Sequence, residues 1–182
     1  MHLEMRLRSA KLRFVVVALL AASCLLPTGC RVYSFTGASI PSHLQTVAIP
    51  LAVDNSINTL TALDEQFTEL LLQRFVRQTR LVLETTPEDA DALLTTRIER
   101  YANTPASVGG QEQATLNRVT ISVHVLYRDQ TNDTDLLNQS FSAFEVFDPS
   151  DPEQGLTGEI DAAAAAMEKI ADDIFTAATS NW

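Results

Sequence analysis

The groups in this 182-residue chain that could do chemistry are two cysteines, three histidines and a large surplus of carboxylates. Cys30 has the most informative surroundings. It follows Leu26-Pro27-Thr28-Gly29, just beyond the apolar run Phe14 to Leu26. A small residue followed by Cys at the end of such a run suits alkylation of the thiol by diacylglycerol and cleavage before it, which leaves a lipid-bearing Cys at the new N-terminus. Pro27 stands where an aliphatic residue is usual. Leu20-Ala21-Ala22-Ser23-Cys24 offers a second cut site, but cutting there would shorten the apolar core to Phe14–Ser23. Cys30 is the expected lipid attachment site.

The rest of the chain offers little for catalysis. His43 and His124 lie in different segments, and no grouping of His, Cys or carboxylates has metal-site spacing. There is no Gly-x-Ser-x-Gly, no Walker loop and no Gly-rich dinucleotide turn. Gly109-Gly110 has no helix after it and reads as a loop. Glu88-Asp89 and Asp172-Asp173 read as solvated turn and helix charges. Two glycosylation sequons, at Asn132 and Asn138, mean little on a bacterial lipoprotein route. The expectation is a non-enzymatic protein with no cofactor and no metal.

Arg6, Arg8, Lys11 and Arg13 precede the apolar run, which is shorter than the ~20 residues of a membrane-spanning helix. A basic start, a short apolar stretch and small residues before the cut describe a secretory signal. The expected organisation is a signal peptide over 1–29, a lipidated segment over 30–44 and a single domain over 45–182. Cutting before Cys30 removes Cys24, so the mature chain has no disulfide and depends on an apolar core. It keeps nine basic against 22 acidic residues, a net charge of −13. That sign argues against nucleic acid and against simple adhesion to anionic lipid.

The elements that must position these residues follow from periodicity. Thr46–Leu51 alternates Val47, Ile49 and Leu51 and ends near Pro50, a short strand. Leu60, Leu63, Phe67, Leu70, Leu71 and Phe75 recur at spacings of three and four, an amphipathic helix. Its acids lie early and Arg74, Arg77 and Arg80 late, as the helix dipole favours. Leu81–Thr85 is a short apolar run of extended character, and a strand is expected over Ala92–Tyr101. Ala102–Asn117, with Pro105 and two glycines, reads as a loop. Val119, Ile121, Val123, Val125 and Tyr127 then face one way and Arg118, Thr120, Ser122, His124 and Arg128 the other. Gln130–Asp135 is a polar turn, and Leu137–Phe147 returns as a strand. Phe141, Phe144 and Phe147, spaced by three, cannot share one face of it. A last helix begins near Thr157, with Ile160, Ala163, Ala164, Met167, Ile170, Ala171, Ile174 and Phe175 as its buried stripe. The fold class is α+β, two helices packed on one face of a small mixed, mostly antiparallel four-stranded sheet.

Cys30-Arg31-Val32-Tyr33-Ser34-Phe35-Thr36-Gly37-Ala38-Ser39-Ile40-Pro41 resembles the start of the mature chain in lipopolysaccharide-assembly lipoproteins of the LptE family, in its Bacteroidetes-like branch. The stretch from Asp173-Ile174-Phe175 to Asn181-Trp182 resembles that branch's C-terminus, and the element order is the family's. The resemblance implies an outer-membrane lipoprotein that plugs the LptD β-barrel, helps it assemble and helps lipopolysaccharide reach the cell surface. It also implies a domain held at the outer membrane, in the periplasm or the barrel lumen. A scaffold lipoprotein of another envelope complex is the alternative. Strong acidity departs from the family pattern, and the family's lipopolysaccharide-contacting basic residues have no clear counterpart here. Lipid A carries phosphates, which arginine grips with paired hydrogen bonds. Arg100 and Arg118 flank the expected loop, and a hairpin would bring them to one end of the sheet as a lipopolysaccharide-binding pair. Ordinary surface pairing with Glu99 or Glu112 is the competing reading.

Overall fold

Val47 and Ala48 are fully buried, and Pro50, lacking an N–H, interrupts the strand they begin. The expected first strand is therefore two, β1 (Thr46–Ala48) and β2 (Val53–Asp54), both running parallel to β4 (Ala92–Ser107). Val47 pairs with Ala92 and Val53 with Arg97, so the outer strand holds one extra residue around Pro50. Alternation fails there: Leu51 turns outward at 55% exposure while Ala52 is buried. The computed structural model describes residues 40–57, 60, 62–107, 115–152 and 157–180, all within the unit formed by residues 36–182.

Helix α1 spans Leu63–Phe75 and buries Leu63, Phe67, Leu71 and Phe75, the stripe expected from spacing. Thr68 Oγ1 accepts from the Ala52 N–H (2.9 Å) and donates to the Asp64 carbonyl (2.7 Å), fastening the helix to the link between β1 and β2. Only Arg74 lies in its last turn; Arg77 and Arg80 lie beyond the helix, so the dipole does not account for them. Arg74 instead pairs with Asp172 (2.5 Å), and Arg80 donates to the carbonyls of Ile40 (3.0 Å) and Pro41 (2.5 Å).

The apolar run after α1 yields β3 (Val82–Leu83), parallel to β1. A helix between two strands is the crossover that parallel pairing needs. β5 (Thr115–Asp129) and β6 (Thr134–Phe147) then add antiparallel neighbours. The sheet is thus six-stranded and mixed, in the order β3-β1-β4-β5-β6 with β2 also on β4, rather than four-stranded and mostly antiparallel. Splitting at Pro50 and recruitment of Val82–Leu83 supply the two extra strands.

The expected loop over Ala102–Asn117 is mostly strand, and only 108–114 separates β4 from β5. Pro105 fits because it pairs with Asn117 at a position whose backbone faces away from β5, so no ladder bond is lost. A bulge between Ile98 and Arg100 shifts the phase of β4. Even-numbered residues up to Ile98 face the core; beyond the bulge Tyr101 and Asn103 do. On β5 the expected alternation holds, with Val119, Ile121, Val123, Val125 and Tyr127 fully buried.

Helix α2 (Gly158–Ser180) packs on β5, β6 and α1, closing the core on the same face of the sheet. Ala163, Met167, Ile170, Ala171 and Ile174 are buried as expected, with Ala162, Ala166 and Ala178 added. Ile160 departs from the stripe at 49% exposure. Phe75 joins the layers, its ring 5.7 Å from Tyr127 and 5.5 Å from Phe175, both edge-on. Phe147 is buried and Phe141 partly so, while Phe144 points outward at 51% exposure.

Candidate functional site

With both helices on one face, no described element covers the other. Strand parity fixes what that face presents. Arg97 pairs with His124, Arg100 with Ser122 and Arg118 with Thr104, so all three arginines project from the uncovered side. Arg128 completes the set, and Thr120, Ser122, Ser140 and Ser142 lie between them. His124 sits on this polar face, as its position in the alternation implied. Four of the nine basic residues of the 30–182 segment thus share one surface. The helices carry eight acids, including Glu65, Glu69, Glu168 and Asp172, against Arg74 and Lys169. The overall acidity conceals an uneven distribution: the helices are strongly acidic, while the uncovered face sets four arginines against Glu99 and Asp135.

Arg100 and Arg118 share this face but do not meet. Arg118 pairs with Thr104, four residues along β4 from Arg100, a separation of about 13 Å. Neither flanks the hairpin tip, because the strands continue well past both. The Arg118 guanidinium lies over the Phe144 ring, 4.5 Å from its centroid, a cation–π contact that fixes its position. No side-chain hydrogen bond or ion pair ties Arg97 or Arg100 to another described residue; the nearby Glu99 carboxylate instead accepts from Ser140 Oγ (3.4 Å). Arg128 is engaged by Asp133 and by Asp135 (3.3 Å). Arg97, Arg100 and Arg118 are therefore the cations this face can offer to an anion. Distance from the expected loop sets Arg97 aside in the sequence; its register with His124 puts it on the shared face. Glu112 and Gly109-Gly110 lie outside the described residues.

A second cluster also escaped notice. The Asp129 carboxylate, 2% exposed, accepts from His43 Nε2 (2.6 Å), the Asn132 backbone N–H (3.0 Å) and Asn132 Nδ2 (2.9 Å). Burial pushes its pKa up, but these hydrogen bonds outweigh burial and hold it below the ordinary carboxylate value. Beside it Asp91 accepts the N–H groups of Gln45 (2.8 Å) and Thr46 (3.0 Å), which lower its pKa too. What the cluster does is pin His43 to the β5–β6 turn and Gln45–Thr46 to the start of β4. The Asp129-x-x-Asn132 spacing was the available signal, but His43 is 86 residues away from Asp129 in sequence.

Between the helices a groove of about 410 Å³ has an apolar floor of Leu70, Ala164 and Met167 and a rim of Glu65, Glu69 and Glu168. Its charge disfavours an anionic ligand. Among the described residues there is no group of His, Cys, Asp and Glu able to hold a metal, and no helix is long and apolar enough to cross a membrane. Cys30 lies outside the described residues.

Solved structures share this architecture. A hypothetical protein, CT253 of Chlamydia trachomatis, aligns with a TM-score of 0.53 at 13% identity, covering 76% of this chain and 99% of that one. A Helicobacter pylori protein described as a neuraminyllactose-binding hemagglutinin homologue aligns with a TM-score of 0.53 at 11% identity, covering 79% and 88%. At such identities the likeness is one of fold alone. Comparison with curated proteins finds no match. The family model for LptE, lipopolysaccharide-assembly, matches residues 44–178, from the buried Leu44 before β1 almost to the end of α2. This chain belongs to the LptE lipopolysaccharide-assembly family.

Proposed function

We propose that this protein is an outer-membrane lipoprotein, anchored through Cys30, that plugs an LptD-type β-barrel and assists its assembly in lipopolysaccharide transport. Membership of the LptE family carries the proposal. The geometry supports it in two ways. Nine residues lie between Cys30 and Ile40, so a lipid on Cys30 keeps Ile40 within about 35 Å of the anchor even at full extension. Confinement of that kind raises the effective concentration of the domain near a membrane-embedded partner. The uncovered polar sheet face, in turn, suits a water-filled lumen. Arg100 and Arg118 are the residues proposed to contact lipopolysaccharide, as two separated phosphate grips rather than one pincer, with Arg97 beside Arg100.

Affinity purification of the tagged protein from detergent-solubilised outer membrane tests the partnership. The expected result is co-purification of a β-barrel of the LptD type, and depletion should lower both assembled barrel and surface lipopolysaccharide. Recovery of a different envelope complex, with both levels unchanged on depletion, would replace this reading with that of a scaffold lipoprotein.

A further inference from the structure

The sheet has four stretches of open edge among the described residues, and they are not alike. β2 and β3 are only two residues long each, and the far half of β4 is interrupted by Pro105. Short strands and edge prolines are the usual guards against unwanted pairing. β6 is 14 residues long and is the last strand of the sheet. From Leu137 to Phe144 it contains no proline, no charge and no register shift.

The direction of its backbone groups follows from its neighbours. Thr95 Oγ1 donates to the Leu126 carbonyl (3.4 Å), so even-numbered residues of β5 face β4. The Ile121 carbonyl faces β6, where Ser142 Oγ donates to it (3.0 Å). Odd-numbered residues of β6 therefore bond to β5, and its even-numbered N–H and C=O groups point off the sheet. Two of these are already served. Lys169 Nζ donates to the Phe144 carbonyl (3.4 Å), and the Val146 N–H donates to Glu145 Oε1 (3.4 Å). The backbone groups of Asn138, Ser140 and Ser142 have no partner among the described residues.

We propose that this segment is a self-association edge, where β6 of a second copy of the chain pairs antiparallel about a two-fold axis at Ser140. The three free positions are symmetric about Ser140, so Asn138 faces Ser142 of the partner subunit and Ser140 faces its own counterpart. An antiparallel pair so centred satisfies the N–H and C=O groups at all three of these positions and leaves the half-capped Phe144 and Val146 outside. The side chains fit this register: hydroxyl and amide groups meet on the outer face, and Leu137 meets the small Ala143 on the core face. Charge permits this approach. The segment itself carries no charge, and the acids around it are engaged: Glu99 accepts from Ser140 Oγ (3.4 Å), while Asp135 and Glu145 are held by Arg128 and Lys169. Two domains joined in this way cannot both seat as the plug of one lumen, so the pairing belongs to lipoprotein that has not yet met its barrel partner.

Cross-linking of the full lipoprotein in detergent tests it. Hydrogen-bonded antiparallel partners lie about 5.5 Å apart at Cα, within disulfide range. Ser140→Cys should give a covalent dimer on mild oxidation, whereas Thr120→Cys, on the same face of the interior strand β5, should not. Ser140→Lys places like charges across the two-fold and should weaken self-association by about tenfold or more in sedimentation equilibrium. Its thermal midpoint should be retained, because Ser140 is exposed. Equal cross-linking of the two cysteine variants, or Ser140→Cys joining a different protein instead of itself, would overturn the proposal, as would unchanged association of Ser140→Lys.

Discussion

Two residues show how local chemistry sets stability here. Ala62 precedes α1 with φ 63°, in the left-handed region, and provides no side-chain cap. An L-residue with a Cβ is strained there by about 1–2 kcal/mol. Ala62→Gly relieves that strain against a loss of unfolded-state entropy and should stabilise the domain by about 0.5–1 kcal/mol in urea unfolding. Asp129 works in the opposite sense. Its depressed pKa means that its contribution is present above the unfolded carboxyl value of about 3.9 and is lost as pH falls through the lower folded value. Asp129→Asn should cost about 1.5–3 kcal/mol at neutral pH, the worth of hydrogen bonds to a buried charged group. It should also flatten the loss of stability below about pH 4. Chemical denaturation from pH 7 to pH 2 measures both, and an acid limb as steep as the parent's would assign the effect to other carboxylates.

At the scale of elements, the β4–β5 hairpin shows pairing overriding propensity. Ala102–Ser107 has loop-like composition, yet the ladder with β5 carries it as strand. Pro105 survives because its missing N–H faces the open edge. Pro105→Thr should therefore change stability by no more than about 0.5 kcal/mol. Ala106→Pro removes a donor that faces β5 opposite Leu116, and should cost about 3 kcal/mol or fray the hairpin from that point. Amide hydrogen exchange distinguishes the two variants; equal protection at Leu116 in both would contradict the assigned backbone direction.

Across the whole molecule, the distribution of charge matters more than its sum. The helix layer is acidic, while the uncovered sheet face carries Arg97, Arg100 and Arg118 without a carboxylate partner among the described residues. If that face meets lipopolysaccharide phosphates, Arg100→Glu combined with Arg118→Glu should weaken binding by at least about tenfold at low salt while leaving folding and barrel association intact. The difference should shrink above physiological ionic strength, where the screening length falls below about 8 Å. Unchanged low-salt binding in a lipopolysaccharide titration would remove both residues from the proposed contact.

The sequence by itself determined the α+β class, the buried faces of α1, β5 and most of α2, and the family resemblance, because each rests on local periodicity or contiguous motifs. Val119–Tyr127 needed nothing beyond alternation to be assigned to the core, and Phe144 could be separated from Phe147 by strand parity alone. Tertiary structure decided what depends on register. Pro50 split one strand into two without leaving a mark on hydropathy, and Val82–Leu83 became a strand only because β1 lay beside it. The bulge after Ile98 put Arg97 and Arg100 on one face, a phase change that composition cannot report. The Arg100–Arg118 pair was read as adjacent because a loop was expected where pairing extends both strands; in the folded sheet four residues of strand rise separate them. His43 and Asp129 meet across 86 residues because the core draws β1 and β5 to the same end of the sheet, a long-range consequence of burying Val47 and Tyr127 together.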